Sequence, residues 1–172
     1  MAQNIEEVRG LKPGAKAPLG ILENATGQKV DLQEALKQGP IVLVFYRGEW
    51  CPYCNRHFAA LNSIADSLAE LNVQVFAISP EKPALWTEMV RKTESDFTFL
   101  SDSGYQTILA FDLAFLPSKA TRLKYRKVLG VDLSEAHQDK RELLPVPATY
   151  LIDQGGIIRW RHFDPNYRER SE

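Results

Sequence analysis

The sequence predicts an α/β protein with a central mixed β-sheet flanked by helices. Three observations carry this. The run Ile41-Val-Leu-Val-Phe-Tyr46 is apolar throughout and bounded by Pro40 and Gly48, as in a strand covered on both faces. Phe58, Leu61, Ile64, Leu68 and Leu71 then recur at three- and four-residue spacing, which is one face of an amphipathic helix of about five turns. Later, Ala148-Thr-Tyr-Leu-Ile-Asp153 and Gly156-Ile-Ile-Arg-Trp-Arg161 flank Gln154-Gly155, the pattern of a β-hairpin.

Taken in order, residues 1–18 are irregular, broken by Pro13-Gly14 and Pro18. An N-terminal hairpin follows, with arms over 19–23 and 28–30 and a turn at Asn24-Ala-Thr-Gly27. Asp31 is placed to cap a short helix through Leu36 and Lys37, stopped by Gly39-Pro40. After the strand at 41–46 and the helix on Phe58, Val73 to Ser79 is a second buried strand. Ser79-Pro80 suits an N-cap and first helical position, and Leu85, Met89 and Val90 carry that helix. Phe97 to Leu100 is a third strand and Tyr105 to Ala110 a short helix. Residues 112–145 read as a loop-rich insertion before the last hairpin, with one helix around 119–129. This order requires a sheet partly parallel and partly antiparallel.

At 172 residues the chain fits a single domain with a self-sufficient core. Hydrophobic residues are 44% and charged residues 25%, the balance of a soluble globular protein. A formal net charge of −1 excludes the strongly basic class of nucleic-acid binders and an acidic tail. The longest apolar run is too short to span a bilayer, so no membrane is expected as a partner. The first residues lack a basic and then apolar leader, so a cytoplasmic location is expected.

The chain has two cysteines, too few for a disulfide-stapled scaffold, and both fall in Cys51-Pro-Tyr-Cys54. This motif joins the buried strand to the amphipathic helix. Pro52 suits the first helical position, making Cys51 the N-cap and placing Cys54 in the first turn. Free N–H groups and partial positive charge at a helix N-terminus stabilise a thiolate and lower its pKa. A second thiol within reach resolves the mixed disulfide or sulfenic acid that the first one forms. Structural zinc needs about four ligands, and only His57, His137 and His162 could complete such a set. No phosphate loop or Gly-x-Gly-x-x-Gly follows a strand, so neither metal nor nucleotide nor other cofactor is expected.

Val42-Leu-Val-Phe-Tyr-Arg-Gly-Glu-Trp-Cys-Pro-Tyr-Cys54 resembles the peroxiredoxin-like AhpC/TSA group of the thioredoxin superfamily. Pro147-Ala-Thr-Tyr-Leu-Ile-Asp153 and Phe163-Asp164-Pro165-Asn166-Tyr167 resemble later parts of the same group, so the likeness spans roughly 11–168. It implies a thioredoxin-like fold. On the peroxiredoxin pattern Pro-x-x-x-Thr/Ser-x-x-Cys, the proline falls at Arg47, the threonine at Cys51 and the peroxidatic cysteine at Cys54. The group's arginine, just before the late strand, falls at Pro147. Trp50-Cys51-Pro52-Tyr53-Cys54 instead matches thioredoxins, in which the first cysteine attacks, and Cys-Pro-Tyr-Cys matches glutaredoxins. Val146-Pro147 resembles their cis-proline loop, which offers backbone groups to a substrate; the alternative is a trans proline opening an edge strand.

The resemblance implies a thiol–disulfide oxidoreductase in antioxidant or redox-maintenance chemistry, with Cys51 attacking and Cys54 resolving. It takes protein disulfide or peroxide as substrate, with thioredoxin, glutaredoxin or glutathione as reductant. Two alternatives stand beside it: a peroxidase with Cys54 peroxidatic and Cys51 resolving, and a redox-inert interaction domain. Homodimers are common in the group, although nothing in the sequence demands one. Trp50 and Tyr53 flank the cysteines as an apolar docking rim or as partly buried core residues. Arg47 offers a positive charge. Glu49 is a local base or a solvated carboxylate. His57, three residues after Cys54, either pairs with that sulfur or is an exposed helix histidine. Lys119, Arg122, Lys124, Arg126 and Lys127 form a solvated helix face or a dock for an acidic partner.

Overall fold

A computed structural model describes Ala2, residues 4–86, Val90 and residues 97–170. Seven strands form one mixed sheet in the order β2-β1-β5-β4-β3-β8-β9. β3 (Ile41–Phe45), β4 (Gln74–Ser79) and β5 (Thr98–Ser101) run parallel at its centre. The hairpin of β1 (Ile21–Asn24) and β2 (Lys29–Asp31) joins antiparallel on one side. That of β8 (Ala148–Ile152) and β9 (Ile158–Phe163) joins antiparallel on the other. Both hairpins and the mixed character agree with the sequence reading.

β3 shows why a continuous apolar run is needed. Leu43 and Phe45 enter one core layer with Ile78, Phe111 and Tyr150. Val42, Val44 and Tyr46 enter the opposite layer with Phe58, Trp86 and Phe99. Strand side chains alternate between faces, so both alternating sets must be apolar when both faces are covered. Short helices close the layers. Asp31 caps α1 (Leu32–Ala35) by accepting from Gln33 N at 2.8 Å. The buried Asp102 accepts from Thr107 N and Ile108 N at 3.1 and 2.8 Å, which fixes the start of α4 (Gln106–Ala110).

Several expectations are corrected. The long amphipathic helix is two helices, α2 (Pro52–Asn62) and α3 (Ala65–Glu70). The break lies at Ser63 and Ile64, where the Ser63 hydroxyl donates back to Ala60 O at 2.6 Å and Ile64 leaves helical geometry at φ −116°. Phe58 is buried, but Ile64 and Leu71 face solvent. Ser79-Pro80 starts no helix: Ser79 ends β4, and the next turn is a 3₁₀ segment, Pro83–Leu85, with Pro83 at its start. Of the helix expected on Leu85, Met89 and Val90, Leu85 closes this 3₁₀ turn and Val90 N donates to Trp86 O at 2.8 Å in helical fashion, while Met89 lies outside the described residues.

The 112–145 insertion is more ordered than a loop. β6 (Ala114–Phe115) and β7 (Leu144–Pro145) pair at its base. Between them run α5 (Lys119–Lys124), a π-turn over Tyr125–Leu129, and α6 (Leu133–Ala136). Phe115, Leu133, Leu144 and Val146 pack with Val8 into a third cluster, against which Trp50 and Tyr125 lie. Residues 1–18 are mostly irregular but tied down: Gly10 N donates to Asp112 O at 3.0 Å and Ala17 N to Gly156 O at 2.8 Å. In the basic run, Arg122 pairs with Glu142 and Arg126 with Asp132, while Lys119, Lys124 and Lys127 are exposed.

Among the described residues no peptide bond is cis, so Val146–Pro147 is trans and the cis-loop expectation fails. The chain passes extended from β7 into β8, and the intrinsic preference for trans applies unopposed. Pro147 stands directly before a central strand rather than on an edge. No described helix is long and apolar enough to cross a membrane.

Candidate active site

Pro52 occupies the first turn of α2 and Cys51 is its N-cap, in extended geometry (φ −89°, ψ 107°). Cys54 N and Asn55 N donate to Cys51 O at 3.0 and 3.1 Å, so both cysteines sit on the first turn as expected. Both are free thiols and both are buried.

Arg47 leaves the end of β3 and turns back to the motif. Its Nη2 donates to Cys51 Sγ at 3.4 Å and its Nη1 to Tyr125 Oη at 2.9 Å. Its guanidinium carbon lies 5.0 Å from the Trp50 ring centroid, 5.7 Å from Tyr125 and 4.1 Å from Tyr167. Three aromatic faces therefore hold a cation that is itself only 4% exposed. Arg47 and Trp50 thus contribute directly to the sulfur's surroundings, Trp50 as a wall packed on the insertion.

The two sulfurs differ sharply. Cys51 is drawn down to a pKa of about 5: the hydrogen bond it accepts from Cys54, the largest effect, together with the charge and hydrogen bond of Arg47 outweighs its burial. Cys54 is pushed well above the ordinary thiol value, by burial first and then by giving its proton to Cys51. At neutral pH the pair is a Cys51 thiolate and a Cys54 thiol. Ordinary thiols, as an inert domain would carry, do not match this split.

His57 is buried rather than exposed, and burial lowers its pKa to about 4, with the Arg170 and His162 charges adding to the effect. It is neutral at pH 7 and supplies no cation to Cys54. Glu49 acts through its backbone: its N–H donates to Glu81 Oε2 at 2.8 Å and its carbonyl accepts from Asn55 Nδ2 at 3.0 Å. Tyr53 is half-buried and meets Tyr167 edge-on at 5.7 Å. Val146 and Pro147 are buried, and Val146 belongs to the cluster behind Trp50.

Four contributors escaped the sequence reading: Glu81, Tyr125, Tyr167 and Arg170. Glu81 is buried under the turn that precedes Cys51, and burial raises its pKa to about 8. The turn leaves no room at Gly48, where a Cβ would stand 2.3 Å from Trp50 Nε1 and 2.5 Å from Glu81 Oε1. Beside it a cavity of about 330 Å³ opens between Glu49, Trp50, Glu81, Val131, Asp132 and Glu135. Tyr125 lies between members of the basic run without belonging to it, and Tyr167 stands only within the Phe163–Tyr167 motif. Nothing local singles out Glu81 or Arg170.

Sheet order and dithiol together define a thioredoxin-like protein with a redox-type site at a helix N-terminus. The chain belongs to the AhpC/TSA family, whose pattern matches residues 13–161. A chloroplastic peroxiredoxin Q of Triticum aestivum is 26% identical over 147 residues, 86% of this chain and 57% of that protein. The thiol-disulfide oxidoreductase ResA of Halalkalibacterium halodurans is 25% identical over 108 residues, 62% of this chain and 60% of that protein. The chain therefore spans less than two-thirds of either relative. The crystal structure of peroxidoxin BcpB from Mycobacterium tuberculosis superposes with a TM-score of 0.71 at 19% identity, covering 89% of this chain and 86% of that one.

Proposed function

We propose that the protein is a thiol–disulfide oxidoreductase in which Cys51 attacks and Cys54 resolves. The observation that carries this is the Arg47 guanidinium at 3.4 Å from Cys51 Sγ, on the sulfur that also accepts the Cys54 hydrogen bond. The Cys51 thiolate attacks one sulfur of a substrate disulfide, the S–S bond breaks, and the leaving thiolate takes a proton. Cys54 then attacks Cys51 Sγ and releases the second substrate thiol. Two electrons pass to the substrate and a Cys51–Cys54 disulfide remains. Thioredoxin, glutaredoxin or glutathione in the cytoplasm returns it to the dithiol.

Peroxide is the second substrate class, favoured by the peroxiredoxin names among the relatives. Here too the attacking sulfur is Cys51, since Cys54 holds its proton and a protonated thiol is a poor nucleophile. The test mixes reduced protein, and each Cys→Ser variant, with a disulfide or with hydrogen peroxide, following Trp50 fluorescence. Disulfide exchange lost in Cys51→Ser and stalled at a mixed disulfide in Cys54→Ser supports the reading. Fast peroxide consumption that needs Cys54 and survives one turnover in Cys51→Ser overturns the role assignment.

A further inference from the structure

The segment after β9 brings Tyr167 and Arg170 to the dithiol, and Arg170 has no part in the steps proposed above. Residues 164–170 fold into a local turn over the site. Asp164 Oδ1 accepts from Asn166 N at 2.8 Å, and Asn166 O accepts from Glu169 N at 2.9 Å. This turn lays the Tyr167 ring on Arg47 and against Tyr53. Three residues further, Arg170 Nη2 stands 3.6 Å from Cys54 Sγ. Each sulfur thus has its own guanidinium, Arg47 for Cys51 and Arg170 for Cys54.

We propose that Arg170 is a further catalytic residue, the counterion of the Cys54 thiolate in the resolving step. The inference rests on the dithiol reading above. In the first step Cys51–S⁻ displaces R′S⁻ from RSSR′, and R′S⁻ accepts the Cys54 proton directly or through water. Cys54–S⁻ then attacks Cys51 Sγ, the Cys51–SR bond breaks, and RS⁻ leaves. The sum is one dithiol oxidised and one disulfide reduced, with charge conserved. Between the steps Cys54 is an anion in a buried site, and Cys51, now in a mixed disulfide, no longer accepts its proton. His57, on the same helix, is neutral at pH 7. Arg170 is the positive group whose charge lowers the Cys54 pKa.

The test uses 2,2′-dipyridyl disulfide, a neutral probe whose two thiopyridone products are released in sequence. Stopped-flow mixing with reduced protein reads Cys51 attack as the first release and Cys54 resolution as the second. Losing one pKa unit of stabilisation cuts the thiolate fraction tenfold, and the accompanying gain in nucleophilicity returns about threefold. Arg170→Gln is therefore expected to slow the second release by about threefold while the first continues. Mass spectrometry of quenched samples then shows the Cys51 mixed disulfide accumulating. Arg170→Lys, which keeps the charge, recovers part of the second rate; a merely structural contact would not follow charge. A second release at the wild-type rate in Arg170→Gln overturns the inference. A wild-type protein with no first release refutes the dithiol reading and takes this inference with it.

Discussion

Replacing Arg47 with methionine removes the charge beside Cys51 while keeping an apolar side chain among Trp50, Tyr125 and Tyr167. At 3.4 Å and an effective dielectric of about 20, the attraction has a ceiling of about 5 kcal/mol. Cys51 and Arg47 are both buried, so little of this is lost to solvent screening. The hydrogen bond from Cys54, the larger stabiliser of the thiolate, survives the change. Partial rehydration of the emptied site offsets some of the rest. About half the ceiling, near 2 to 3 kcal/mol, corresponds to roughly two pKa units. The Cys51 midpoint is then expected to move from about 5 to about 7. The assay is the ultraviolet absorbance of the thiolate against pH in a Cys54→Ser background, where the serine hydroxyl still donates to Cys51. Alkylation adds an independent signature. The variant is slower than wild type in acid, where it holds less thiolate, and faster in base, where its more basic thiolate is the better nucleophile. A midpoint that moves by less than about half a unit refutes the charge pairing of Arg47 with Cys51.

Other perturbations follow the same geometry. Glu81 titrates near 8 in the fold against about 4.3 unfolded, so the stability it gives is present below the unfolded value and lost as pH rises toward 8. Glu81→Gln keeps an acceptor for Glu49 N–H, and chemical denaturation at pH 5 and 8 should show the variant gaining on wild type by roughly 3 kcal/mol. Gly48→Ala forces a Cβ into Trp50 and Glu81 and is expected to cost about 1–3 kcal/mol, read as a lowered denaturation midpoint with slower Cys51 alkylation. Phe58 is fully buried edge-on to Tyr46 at 5.0 Å and near Phe99 at 5.3 Å, so Phe58→Ala should cost about 3–5 kcal/mol in the same assay.

What the sequence disclosed was local. Strand β3 announces itself because covering both faces demands an unbroken apolar run, and the start of α2 because Pro52 fits only the beginning of a helix. The break of the long helix stayed hidden because the three–four spacing runs straight through Ser63, and only the return of its hydroxyl to Ala60 marks it. The burial of His57 is not legible locally, because the groups beside it, Arg170 and His162, come from far along the chain. The same distance hid half the site. Tyr125 meets Arg47 across 78 residues, and Arg170 meets Cys54 across 116. No local pattern reports a contact made by folding a segment back over the sheet end.

The register of two strands explains how the site keeps a guanidinium despite lacking the arginine expected before the late strand. The peroxiredoxin pattern places proline at position 47 and arginine at position 147; this chain has Arg47 and Pro147. β3 and β8 pair antiparallel with Phe45 opposite Ala148, so both positions leave the same end of the same strand pair. In this chain the cation therefore stands at the end of the neighbouring strand of the pair. That position sets which sulfur it serves. Approaching from the end of β3, four residues before Cys51, the guanidinium meets the helix N-cap instead of the first-turn Cys54. On that pattern Cys51 stands at the threonine position, so in the proposed function the attacking thiolate and its counterion lie together at the helix N-cap. Cys54 is left buried and protonated at rest, which suits the resolving role proposed for it.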